Sequence, residues 1–163
     1  LKQYELEIFA DYFQVYIADK SATDALYEDM DWTPQALADR FIAGNGFVAI
    51  AAARNMTVPV VLIIGKDPLD PSVYAAFFDE ADHVIEGDLK LSTGQLLVWG
   101  PGGYVYDSFR LNLDSGRYQI RIYFNQLDSL SEDGLAGDDL YKIVLFPASK
   151  ESSTSYRVTK QFE

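Results

Sequence analysis

The stretch FRLNLDSGRYQIRIYF, residues 109–124, decides the fold class. Phe109, Leu111 and Leu113 alternate with polar residues, Asp114-Ser115-Gly116 supplies a turn, and Tyr118, Ile120, Ile122 and Phe124 resume the alternation. A period of two puts each apolar set on one face of a strand, and a three-residue loop with Gly last suits a hairpin with a bulge. The stretch is therefore expected to form an antiparallel hairpin, with Arg110, Arg117, Gln119 and Arg121 on its solvated face.

The same period extends in both directions. Ile85, Gly87, Leu89 and Leu91 alternate with Glu86, Asp88 and Lys90 before a Ser92-Thr93-Gly94 turn into QLLVW. GFVAIAA (46–52) and VPVVLII (58–64) are apolar, β-branched runs that read as a buried hairpin across Arg54-Asn55, with Pro59 at an edge or strand start. Between Tyr4 and Ile17 the parity changes, from Leu6 and Ile8 to Phe13, Val15 and Ile17, which predicts a bulge near Ala10 and Asp11. Leu140 to Phe146 forms a last core strand that Pro147 stops. About eight short strands with frequent turns indicate an all-β protein, an antiparallel β-sandwich.

One short α-helix interrupts this pattern. Thr33 is a good N-cap, Pro34 fits the first helical position, and the helix is expected to run to Phe41 or Ile42 and stop at Gly44. Residues 66–82 read as a loop with a turn of helix around Val73 to Phe77. A single domain is expected over residues 1–147, with residues 148–163 as a polar, flexible tail unless Tyr156-Arg157-Val158 pairs at a sheet edge.

The chain has 163 residues, 48% of them hydrophobic, enough for one real core. It has no cysteine, which removes disulfides, thiolate metal sites and a Cys nucleophile. No apolar run reaches membrane-helix length, and LKQYELEIF lacks the regions of a signal peptide, so a cytoplasmic protein with no membrane span is expected. Its formal charge of −12 disfavours direct nucleic acid binding and favours basic protein partners.

The acids cluster in DSLSEDGLAGDD, residues 128–139, where Asp128, Glu132, Asp133, Asp138 and Asp139 have no base among them. An EF-hand register fails there, because counting from Asp128 its third position is Leu130 and its glycine arrives one residue late. A looser calcium site in this loop, as in many sandwich domains, stays open as an alternative, as does carbohydrate binding through exposed aromatics. The single histidine, His83, sits near Asp79, Glu80 and Asp82, and neighbouring carboxylates would raise its pKa and suit it to a metal or a proton transfer. No nucleophile motif accompanies it, and no catalytic residue, metal or cofactor is expected. Trp32, among Glu28, Asp29 and Asp31, gives the second candidate contact, since aromatic anchors mixed with carboxylates suit a protein interface. Tyr12, Tyr16, Tyr104 and Tyr106 are further candidate exposed aromatics.

DYFQVYI at 11–17, MDWTPQAL at 30–37 and the glycine-led strand GFVAIAA at 46–52 resemble the beginning of the competence protein J family. The resemblance covers residues 4–64 at motif level. It implies a small, acidic, mostly β protein that binds and inhibits a DNA-entry nuclease. Residues and resemblance converge on a non-enzymatic, immunity-type inhibitor of a basic nuclease or toxin. Its expected contact surface is Asp128, Glu132, Asp133, Asp138 and Asp139 with Trp32, Glu28, Asp29 and Asp31. The acidic loop and the Ser-rich tail depart from the family pattern, which allows a different partner.

Overall fold

The computed structural model describes residues 1–103, 107–148 and 156–163. Its strands are β1 (Lys2–Phe9), β2 (Gln14–Asp19), β3 (Phe41–Gly44), β4 (Phe47–Ala51), β5 (Thr57–Ile64) and β6 (His83–Leu91), followed by β7 (Gln95–Trp99), β8 (Phe109–Asn112), β9 (Gly116–Asn125), β10 (Leu140–Pro147) and β11 (Arg157–Lys160). The α-helices are α1 (Thr23–Asp29), α2 (Pro34–Asp39) and α3 (Pro71–Glu80). The strands form a six-stranded sheet ordered β1-β5-β10-β9-β6-β11 and a five-stranded sheet ordered β3-β4-β2-β7-β8.

The inward faces of both sheets make one core, in which Val15, Ile17, Val48 and Ile50 of one sheet join Leu62, Ile122, Phe124, Tyr141 and Ile143 of the other. The opposite parity of the five-stranded sheet is also apolar at Tyr16, Ala18, Ala49 and Leu97, and Leu26 of α1 and Ala36 of α2 cover it. On the far side Tyr74 and Phe77 of α3 pack over Ile63, Tyr123, Val144 and Phe146. Lys142 and Arg121 lie 3.7 Å and 3.8 Å from the ring centres of Phe77 and Tyr74, so cation–π contacts hold α3 in place. The result is a two-sheet sandwich with helices outside each sheet. Each fully buried Leu, Ile or Phe contributes roughly 1.5–3 kcal/mol to it.

The sandwich departs from the expected antiparallel one. β5 and β10 are parallel, from Tyr141 opposite Val60 to Leu145 opposite Ile64, so the six-stranded sheet is mixed. Helix α3 covers this sheet's second face, and strands buried on both faces carry continuous apolar runs such as VVLII and IVLF. The expected hairpin across residues 114–116 does not form: β8 pairs with β7, whereas β9 pairs with β10 and β6. The chain changes sheet at this turn, and the two apolar sets meet across the core instead of side by side. The same holds for β4 and β5, which lie in different sheets.

Helix α2 begins as expected, the Thr33 hydroxyl accepting from the Ala36 N–H at 3.1 Å. It ends at Arg40, whose left-handed φ of 61° stops the helix before Gly44, and Phe41 already belongs to β3. Helix α1 lies where the sequence carries no clear helix signal, and α3 is a full helix of 10 residues. The expected bulge is a sheet change, with a 3-10 turn at Asp11–Phe13 carrying the chain from β1 to β2. Of the tail, residues 149–155 lie outside the described residues, and Arg157–Lys160 pairs with β6 as the edge strand β11, the alternative to a flexible tail that the sequence left open.

Candidate protein interface

The register places several chain ends together. β2 begins at Gln14 opposite the last residue of β4, Ala51, and β7 ends at Trp99 opposite Tyr16. In the other sheet β9 ends at Asn125 opposite the first residue of β10, Leu140. Arg54, just after β4, joins Asp139, just before β10, at 2.6 Å, so these termini mark one end of the sandwich.

The acidic loop closes that end and is built by its own serines. The Ser129 hydroxyl donates to the Gln126 carbonyl at 2.7 Å and accepts from the Asp138 N–H at 2.8 Å. Ser131 and Ala136 pair through N–H to carbonyl at 2.7 Å, and the Ser131 hydroxyl donates to Asp133 Oδ1 at 2.6 Å. Asp133 Oδ1 also accepts the Leu135 N–H at 3.0 Å. The Ser131 hydroxyl bond and then this backbone bond hold the Asp133 carboxyl below its ordinary pKa. Asp128, Glu132, Asp133 and Asp138 lie on this ordered frame, all four exposed, with Asp128 at the loop's entry.

Asp139 does not join them. It is fully buried, one oxygen taking the Arg54 guanidinium and the other accepting the Tyr141 hydroxyl at 2.6 Å. The Tyr141 hydroxyl in turn accepts the Ala53 N–H at 2.6 Å. Burial, reinforced by donation to Asp139, pushes the Tyr141 pKa far up and keeps it a hydrogen-bond donor. Asp139 is thus the internal anchor of the loop and not part of its contact surface. Arg54, which reads in sequence as a separator between two apolar runs, is its counter-ion.

Glu28, Asp29 and Asp31 are exposed, and Trp32 is half-buried against the cluster under α1 and α2. Helix α1 starts beside the β3–β4 turn, where Ala22 approaches Gly46, and its Tyr27 hydroxyl accepts the Trp99 indole N–H at 3.0 Å. It therefore runs toward the end of β7, the end that carries the acidic loop. Among the described residues no hydrogen bond or ion pair links Glu28–Trp32 to the loop 128–139. Tyr16 is buried against Trp99 at 5.4 Å and is not an exposed aromatic. Tyr104 and Tyr106 lie outside the described residues.

His83 is fully buried rather than poised beside carboxylates. Phe162 donates its N–H to Nδ1 at 3.1 Å, which fixes the proton on Nε2, and Nε2–H donates to the Asp39 carbonyl at 2.7 Å. Burial lowers its pKa and the nearby Arg40 acts in the same direction, outweighing the Asp39 carbonyl and carboxylate. It holds the C-terminal segment to α2. Among the described residues no three His, Asp or Glu side chains converge as a metal site requires, and no helix is long and apolar enough to cross a membrane.

Sheet order, helices and connectivity define a mostly β sandwich with the competence protein J-like fold. Among solved structures the chain is similar to ComJ of Bacillus subtilis, the inhibitor of the DNA degrading activity of NucA, with 19% identity, a TM-score of 0.60, and 91% of this chain and 96% of that chain covered. It is similar also to the product of crocagin biosynthetic gene J, with 15% identity, a TM-score of 0.52, and 90% of this chain and 97% of that chain covered. These likenesses are of fold. No family model matches the chain, and no curated protein matches its sequence.

Proposed function

We propose that the protein is a non-enzymatic inhibitor that docks its acidic end on a basic nuclease. The observation that carries this reading is the set of four surface carboxylates, Asp128, Glu132, Asp133 and Asp138, held on a loop ordered by its own serines and pinned by a buried ion pair. Like charges held together without bases repel one another, and a cationic partner relieves that repulsion. A nuclease cleft shaped for phosphates offers such a surface, and the loop imitates the charge of its substrate. Trp32, Glu28, Asp29 and Asp31 extend the contact on the flank of the same end. The fold shared with ComJ supports a nuclease as the partner class. Inhibition takes place where such a nuclease is made, in the cytoplasm.

The test is DNA degradation by purified NucA, and by a basic nuclease encoded beside this chain's own gene, with increasing inhibitor. Dose-dependent loss of degradation that weakens with added salt is expected. Undiminished degradation by both nucleases would overturn the reading.

A further inference from the structure

The turn between β1 and β2 presents large apolar side chains to solvent in a conformation unfavourable for them. Tyr12 and Phe13 have φ of 53° and 65°, in the left-handed region that glycine and asparagine enter more readily than aromatic residues. The surroundings determine this backbone: Ala10 N–H donates to the Met56 carbonyl at 2.9 Å, Phe13 N–H to the Ala10 carbonyl at 2.9 Å, and Ala52 N–H to the Phe13 carbonyl at 2.7 Å. Tyr12 N–H reaches Asn55 Oδ1 at 2.9 Å. The side chains gain little from it, since Tyr12 is 71%, Phe13 47%, Phe9 46% and Met56 40% exposed. Phe9 stands opposite Thr57, so Met56 adjoins it across the strand pair. Gly100 lets the chain after β7 pass this turn, because a Cβ there would collide with the Phe9 carbonyl.

Carboxylates frame the patch. Glu5 and Glu7 lie on the same outward parity of edge strand β1 as Phe9, and Asp11 lies in the turn itself. From Phe9 a groove of about 440 Å³ runs between edge strands β1 and β8, lined by Glu5, Glu7 and Asp107 over Trp99 and Phe109, with no Lys or Arg among its described lining residues. The patch lies at the same end as the acidic loop, since Ala51, opposite Gln14, precedes Arg54, whose partner is Asp139.

The geometry points to Phe9, Tyr12, Phe13 and Met56 as the apolar anchor of a protein interface, occupied by a basic polypeptide segment that inserts an apolar side chain while its Lys or Arg residues meet Glu5, Glu7 and Asp11. Backbone strain and exposed aromatic area both cost stability, and a partner that buries the aromatics offsets them. The binding energy of an interface concentrates in such desolvated aromatic centres, and carboxylates at the rim orient the approach. This inference deepens the inhibitor reading and rests on it for the class of partner.

The test uses two probes, NucA and a short synthetic peptide of alternating lysine and leucine, added to the isotope-labelled protein. Amide shift changes are expected to centre on residues 9–13, 55 and 56 with either probe. The double variant Tyr12→Asn/Phe13→Asn, whose residues suit the left-handed turn, should keep or raise the thermal midpoint and weaken binding at least about tenfold. Peptide binding at the turn without NucA binding leaves the anchor standing and removes the nuclease. NucA bound equally by variant and wild type removes the anchor and leaves the nuclease. Shift changes absent from the turn with both probes overturn the inference.

Discussion

Arg54 and Asp139 form a buried ion pair at 2.6 Å between the segment after β4 and the last residue of the acidic loop. The pair joins the two sheets and fixes where the loop begins its return into β10. Charges removed from water recover their desolvation cost only through good geometry and further hydrogen bonds, and here Tyr141 supplies one. Asp139→Ala leaves the Arg54 charge buried and unpaired and should lower the unfolding free energy by about 3 kcal/mol. Urea unfolding measures it; a loss under about 0.5 kcal/mol would mean that the interior does not depend on the pair.

Asp19 ties the end of β2 to the turn before β7. It is buried and accepts from Ser21 N–H and hydroxyl at 3.0 Å and 2.5 Å and from Thr93 N–H and hydroxyl at 3.1 Å and 2.9 Å. Burial alone would raise its pKa, but the Ser21 and Thr93 bonds together bring it below the ordinary value. Its stabilisation is therefore present above the unfolded carboxyl pKa and is lost as pH falls through the lower folded one. Asp19→Ala should cost about 2 kcal/mol at neutral pH, with a smaller deficit relative to wild type in acid. Unfolding curves at neutral and acid pH check both parts; a deficit that grows in acid would contradict the assignment.

The sequence shows which way side chains face and leaves open which strands they pair with. Phe109, Leu111, Tyr118, Ile120, Ile122 and Phe124 all turn toward the core, as their alternation requires. Alternation is silent about the partner, and the turn at Asp114 carries the chain across the core: the Leu113 N–H donates to the Gly94 carbonyl at 2.8 Å, and the Tyr118 hydroxyl to the Asp114 carbonyl at 2.6 Å. Helix α2 is legible because Thr33 and Pro34 are local signals. Helix α1 is not, because Ala22 gives it no side-chain cap and Leu26 is its one buried residue. The four surface acids of the loop are legible as a cluster. Asp139 looks like a fifth because its partner lies 85 residues away. The strain at Tyr12 and Phe13 leaves only the parity change as a trace, which fits a bulge equally well.

Replacing Asp128, Glu132, Asp133 and Asp138 together by their amides separates the loop's two roles. These side chains are exposed, and among the described residues none of them forms an ion pair with a base, so the urea midpoint of unfolding should stay close to that of wild type. The amide introduced by Asp133→Asn keeps an oxygen for Ser131 and Leu135, preserving the loop's frame. Association with NucA should slow and lose most of its salt dependence, while dissociation changes less, because rim charges act mainly on encounter. Stopped-flow mixing at low and high salt resolves the two rates. An unchanged association rate would exclude the loop from the contact.

The His83 latch predicts a pH effect in the range where exposed carboxyls are already ionised. In the unfolded chain the imidazole takes up a proton near its ordinary value of about 6.5. In the folded protein burial holds its pKa lower, and a proton on Nδ1 would face the Phe162 N–H that now donates there. Below the ordinary value the unfolded state therefore binds more protons, so the stabilisation is complete above it and declines as pH falls through the lower folded value. Unfolding free energy should drop from about pH 7 to about pH 5.5, and hydrogen exchange at Phe162 and along β11 should speed up ahead of the rest of the sheet. His83→Gln, which can still donate to Asp39 and accept from Phe162, should flatten that slope. A slope of the same size in the variant would move its origin to the carboxylates and release His83 from the role.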